Sequence, residues 1–159
     1  EEYSAVTGFF RQFELYYVVA DERDVIRIRT NFRGEDTYLY RLRTPPARAR
    51  ALLLDYLAKV NSLAKEPEWY NAFTHSCTTS IIRHIRELGL PFPWHWKVFL
   101  NGYLDELLYE GGIINTSLPF EDLRARSAIS PVAIAIENVP DFSSVIRIEL
   151  PERPAPPPL

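Results

Sequence analysis

The sequence predicts an α+β domain in which an antiparallel sheet from the first third carries packed helices. Three observations lead there. Residues 13–43 alternate apolar and polar side chains between short polar turns. Residues 49–63 place apolar residues at helical spacing. A further apolar-periodic run follows the single cysteine, Cys77.

In chain order, FELYYVVA (13–20) is aromatic and β-branched, as strands are. DERD (21–24) reads as a polar turn. VIRIRT (25–30) sets Val25, Ile26 and Ile28 against Arg27 and Arg29, the pattern of a strand with one wet face. Asn31 to Glu35, with Gly34, reads as a hairpin loop, and TYLYRLR (37–43) alternates again. Segments 13–20, 24–30 and 36–43 are therefore expected to pair as an antiparallel meander. Pro45-Pro46 ends the sheet and can open a helix. In that helix Leu53, Tyr56, Leu57, Val60 and Leu63 share a face. A second helix is expected to start near Ser76 or Cys77, with Thr74 or Ser76 as its cap, and to end at Gly89. LPFPWHW (90–96) reads as a loop. Lys97 to Glu110 is helical in its later part and stops at Gly111-Gly112; Phe120 to Ile129 is a short helix. VAIAI (132–136) fits either a strand or a buried helix. PERPAPPPL (151–159) is a Pro-rich tail or linker.

Composition bounds the function. A chain of 159 residues that is 47% hydrophobic can bury a core as one domain, here 1–150. The net charge of −3 is spread without a basic block, which sets nucleic acid aside as a partner. No apolar run reaches the roughly 18 residues of a membrane helix. A chain that starts at Glu1 and contains no methionine is expected to be part of a longer one, so a leader or membrane anchor can lie upstream.

Cys77 carries two readings. Cys77, Ile81, Ile85 and Leu88 are spaced by helical turns on an apolar face, which suits a small core residue. A thiol in a first helical turn also meets unpaired N–H groups and the positive end of the dipole, which favour the thiolate and can hold an oxyanion. A nucleophile needs a base. His84 is seven residues on, ~10 Å along a helix. His75 precedes the helix, and His95 sits between two tryptophans. Cys77 with these histidines has no standard metal-ligand spacing, and no metal or cofactor is expected.

The order of GFFRQFELYYVVADERDVIRIRTN, YLYRL, EWYNAFTHSCTTSIIRHI, FLNGYLDELLYEGGII and DFSSVIRIELP, from Gly8 to Pro151, resembles the Lnb N-terminal periplasmic domain family. This is a bacterial domain of unknown function, similar to permuted papain-like, NlpC-type thiol hydrolases. The resemblance implies a papain-like fold and a periplasmic domain, free or held to the inner membrane and facing the periplasm. It further implies a cell-envelope thiol hydrolase or acyltransferase that attacks an amide or ester through Cys77. The alternative is a non-catalytic binding or folding-helper module with a protein partner in the envelope. Tyr70, Asn71, Cys77, Thr78 and Thr79 match the family's motif. Ser76 stands where the family usually has asparagine, and His75 replaces another polar residue. In the family the strand with the presumed histidine base lies upstream of the segment matching Glu2-Tyr3-Ser4. The domain is thus expected to be N-terminally incomplete, with first strands and base outside this chain. DERD also matches. There the first reading is a solvated turn; the functional reading has Arg23 pair with Asp21, Asp24 or Glu14 and shape one end of a cleft, or Glu14 as an inward-facing charge with Arg11 or Arg23 as its partner. None of the 21 acidic residues forms the isolated carboxylate pair of a glycosidase.

Overall fold

The computed structural model describes residues 13–71, 77–87, 89, 95–98 and 101–155. The described residues are helical and form no sheet. Two isolated antiparallel bridges, Glu14 with Trp69 and Tyr38 with Ala128, are their only β pairings. The expected α+β, papain-like antiparallel sheet is therefore corrected to a helical architecture. The chain divides into two compact units, one of residues 1–18 and 44–107, the other of 19–43 and 108–159.

The reason lies first in DERD. Asp21 is a helix N-cap whose side chain accepts from the Arg23 backbone N–H at 2.9 Å. Glu22 and Asp24 sit in the first turn of helix α1 (Glu22–Arg27), and Arg27 in the last, so the charges suit the dipole. A single π turn, Ile28–Phe32, continues it. The 24–30 segment is thus helical, not a strand. Its alternation also contains an i, i+4 pair, and the fold uses that pair. Ile26 and Thr30 are buried, while Val25 and Ile28 face solvent. Gly34, at φ 63°, ends the run in the left-handed conformation, with Glu35 N–H donating to the Arg29 carbonyl at 2.9 Å.

Segment 36–43 is extended. It pairs within its own unit, Leu39 N–H to Ser127 O at 2.8 Å and Arg43 N–H to Ile113 O at 2.7 Å, and not with 24–30. Helices α5 (Phe120–Ser127), α6 (Ser130–Ala135) and α7 (Phe142–Val145) complete this unit, and α6 resolves VAIAI as helix. Its core is Ile26, Ile129, Ala133, Phe142, Ile146 and Leu150, with Leu39 and Ile136 packed against it. Arginines tie the ends of this unit together. Arg23 Nη2 donates to the Val139 and Pro140 carbonyls at 2.8 and 3.0 Å, and its guanidinium lies over Phe142. Arg147 holds Glu22 through a two-pronged contact, one arm at 2.8 Å.

In the other unit, segment 13–18 is extended but pairs with the residues before Cys77. Leu15 N–H donates to Glu68 O and Tyr70 N–H to Phe13 O, each at 2.7 Å. Phe13, Leu15 and Tyr17 are half-buried, and Glu14, Tyr16 and Val18 are exposed, so Glu14 is not an inward charge. Helix α2 (Pro46–Leu63) begins with proline at N1, as expected. Its packed stripe is rotated from the predicted one: Leu53 and Leu57 are exposed, and Asp55 joins Tyr56, Val60 and Leu63 on the half-buried face. Helix α3 runs Cys77–Glu87. Two 3-10 turns, Trp96–Val98 and Asn101–Tyr103, lead into α4 (Leu104–Glu110), within which the chain passes from this unit to the other after Leu107; Gly112, at φ 64°, closes the helix.

The Arg147 contact holds the Glu22 carboxyl below the usual carboxylate range. A depressed folded-state value adds stability above the unfolded value, near ~4.3, and loses it as pH falls through the lower folded one. Both side chains are about one-third exposed, so the pair is worth up to about 1 kcal/mol. Glu22→Gln is expected to lower the melting temperature slightly at neutral pH. The gap should close as pH falls through that lowered value in a thermal-melt pH series. A gap unchanged in acid would mean that the loss does not come from the charge pair.

Candidate functional site

Cys77 occupies the first residue of α3, as the sequence predicted, and it is exposed. The core reading of the thiol fails for a geometric reason. The buried residues of α3 are Thr78, Thr79, Ile82 and His84, so the inward face is offset from Cys77 and Ile81. Thr78 Oγ1 lies 3.9 Å from Cys77 Sγ. Tyr70 and Asn71 are half-buried in the extended run ahead of α3. His75, Ser76 and the expected cap from Thr74 or Ser76 lie outside the described residues. Arg23 belongs to the other unit, where its side chain holds carbonyls, while its backbone N–H meets Asp21.

The polar centre of the first unit is His84, only 2% exposed. Its Nδ1 lies 2.5 Å from Asp55 Oδ2 on α2, and its Nε2 lies 2.8 Å from the Tyr17 hydroxyl. The Tyr56 ring packs on the imidazole at 4.2 Å between centroids, and Tyr17 meets it edge-on at 5.8 Å. Ser80, one turn before His84, also hydrogen-bonds Tyr17. Three chain segments thus converge on one imidazole. Segment 13–18 is placed by its bridge to 68–70. That stretch is fastened to α2 by Lys59 Nζ on Glu68 Oε1 at 2.5 Å. Burial pushes the Tyr17 hydroxyl above its ordinary value, against the opposing Ser80 hydrogen bond and the Arg83 charge. Burial, with Tyr17 and Asp55 close by, pushes Tyr56 up to about 12.

Glu87 lies one turn beyond His84. One ligand atom each from Asp55, His84 and Glu87 all fall within 4.8 Å of one another. Sequence reasoning weighed His84 against Cys77 alone and passed over Asp55, Glu87 and Tyr17. The sequence carried no clear signal for Asp55, since it lies off the apolar face predicted for α2 and has Lys59 one turn on. His95 is a local packing residue; its Nδ1 accepts from Lys97 N–H at 3.3 Å and its ring lies beside Trp96.

The profile of the Lnb N-terminal periplasmic domain matches residues 1–102, a span that takes in Arg23, Tyr70, Asn71, Cys77 and Thr78. The chain belongs to that family. The Lnb domain is periplasmic. Among its described residues, no helix is long and apolar enough to cross a membrane. No curated protein and no solved structure matches the chain.

Two outcomes follow from the buried rings. Tyr17→Phe removes the partner of a buried imidazole nitrogen, and a loss of about 1–3 kcal/mol is expected in urea unfolding. A loss of a few tenths would place water, not Tyr17, as the working partner. The second outcome is alkaline. A tyrosine raised in the fold adds stability that is complete below its unfolded value of about 10 and is lost as pH climbs through the folded value. Tyrosinate absorbance should show Tyr56 ionising last, near about 12 or together with alkaline unfolding. Ionisation of every tyrosine near 10 in folded protein would contradict the packing around His84.

Proposed function

We propose that this periplasmic domain is a thiol hydrolase or acyltransferase of the cell envelope, with Cys77 as nucleophile. The observation that carries the reading is the exposed thiol in the first turn of α3. The positive end of the helix dipole at that start suits a thiolate or the oxyanion of a tetrahedral intermediate. In the proposed reaction, Cys77 Sγ bonds to an amide or ester carbonyl carbon, and the amine or alcohol leaves with a proton. Water or a second acceptor then takes the acyl group and frees the thiol. The base is proposed to come from the segment upstream of Glu1 that the family pattern implies. Tyr70, Asn71, His75, Ser76 and Thr78, which lie close to Cys77 in the chain, are proposed as its accessory groups.

The second reading, a non-catalytic binding or folding-helper module, is favoured by a specific observation. His84, the described histidine on the same helix, has both ring nitrogens engaged by Asp55 and Tyr17. The two readings separate by trapping. The protein, extended upstream to include the proposed histidine, is incubated with activated esters and thioesters and weighed intact. The hydrolase reading expects one acyl adduct, located at Cys77, that turns over, and background rates in Cys77→Ser. A thiol that iodoacetamide alkylates but no acyl donor acylates would hand the case to the binding module.

A further inference from the structure

We infer that Asp55, His84 and Glu87 form a binding site for a divalent first-row transition-metal cation, Zn²⁺ being the fitting probe. The site goes beyond the thiol chemistry and does not use Cys77. Three features of the first unit point to it. The ligand atoms already converge within 4.8 Å, from α2 for Asp55 and from α3 for His84 and Glu87. The pair His84 and Glu87 is spaced i, i+3, so both side chains rise from neighbouring positions on one helix. The third feature is the orientation of the imidazole. Tyr17 holds Nε2 at 2.8 Å and Tyr56 packs on the ring, so Nδ1 is left for the Asp55 carboxylate, 2.5 Å away. A ligating histidine whose other nitrogen is fixed by an outer partner is the usual arrangement in protein metal sites.

Ligand chemistry selects the cation. One imidazole nitrogen and two carboxylate oxygens suit zinc and its neighbours, whereas Mg²⁺ and Ca²⁺ favour oxygen alone. The two carboxylates neutralise the dication, and three protein ligands leave a position for water. The geometric adjustment is small. Zinc–ligand bonds of ~2.0–2.2 Å put tetrahedral ligands on the order of 3.3 Å apart. Asp55 and His84, at 2.5 Å, must part by less than ~1 Å, within reach of a carboxylate rotation. Glu87 comes from the exposed rim, where its contact is Arg83 Nε at 3.6 Å, a surface pair of little strength. Metal binding at Nδ1 uses the lone pair of the neutral ring, whose single proton is then on Nε2 and is donated to the Tyr17 oxygen.

Isothermal titration with ZnCl₂ tests this, in a Cys77→Ser background so that the thiol adds no ligand. One Zn²⁺ per chain is expected, with MgCl₂ giving no comparable heat. Glu87→Gln is the deciding variant. It leaves the Asp55–His84–Tyr17 chain intact, so it should fold as the parent does, and it should weaken zinc by about tenfold or more. Cobalt(II) should give visible bands of a nitrogen–oxygen site in the parent and lose them in Glu87→Gln. Equal zinc affinity in both proteins, or no saturable binding in the parent, would overturn the assignment. Neither result bears on acylation of Cys77, so the two proposals fail separately.

Discussion

The first unit depends on the need of one buried imidazole for two partners. An unpaired ring nitrogen at the depth of His84 would cost about 1–3 kcal/mol, a large share of a small domain's net stability. The fold meets that demand from two places far apart in sequence, Asp55 on α2 and Tyr17 on the extended segment. Neither partner works unless its backbone is held. The bridge from Glu14 to Trp69 and the Lys59–Glu68 contact fix the segment that delivers Tyr17. The packing of α2 on α3 brings Asp55 within 2.5 Å. A single polar side chain therefore sets the register of three segments that otherwise bury few residues completely; α2 has none.

The second unit solves a related problem with arginines. Its helices are short, four to eight residues, and helices of that length are not stable by themselves. Their apolar residues meet in one cluster, from Ile26 to Leu150. The polar ends are closed by Arg23 on the carbonyls of Val139 and Pro140 and by Arg147 on Glu22. Both bonds join residues more than a hundred positions apart. DERD thus performs structural work twice, as a cap through Asp21 and as a clamp through Arg23.

Sequence reading succeeded where the signal was local. The N1 proline of α2, the start of α3 at Cys77, the short helix after Phe120 and the glycine stops all depend on a few neighbouring residues. It failed for the sheet because VIRIRT satisfies two periods at once. Arg27 and Arg29 flank Ile28 as in a strand, yet Ile26 and Thr30 lie one helical turn apart. Six residues cannot decide between the two, and the cap at Asp21 does. Segments 13–18 and 36–43 are extended as their composition suggests, but each finds a distant partner instead of its neighbour. The choice of partner is a tertiary matter that alternation does not encode. The convergence on His84 was hidden for the same reason, since Tyr17, Asp55 and His84 are separated by 38 and 29 positions in the chain.

Helix α3 makes opposite demands on its two ends, and this limits what each end can do. In the proposed reaction Cys77 must be reachable to meet a substrate, and it is exposed. His84 is enclosed, and its nitrogens are committed to Asp55 and Tyr17. Two helical turns, ~10 Å, separate them along the axis. A rotamer change can move a side chain by a few ångströms, but withdrawing His84 would take from the half-buried Asp55 and Tyr17 the partner they share. The histidine of α3 therefore cannot be borrowed as a base for its cysteine without dismantling the unit that presents the thiol. Any proton acceptor for Cys77 has to arrive from outside α3. The carboxylate–imidazole centre at the far end is left to chemistry that uses the ring where it is, as a fixed ligand and not as a mobile base.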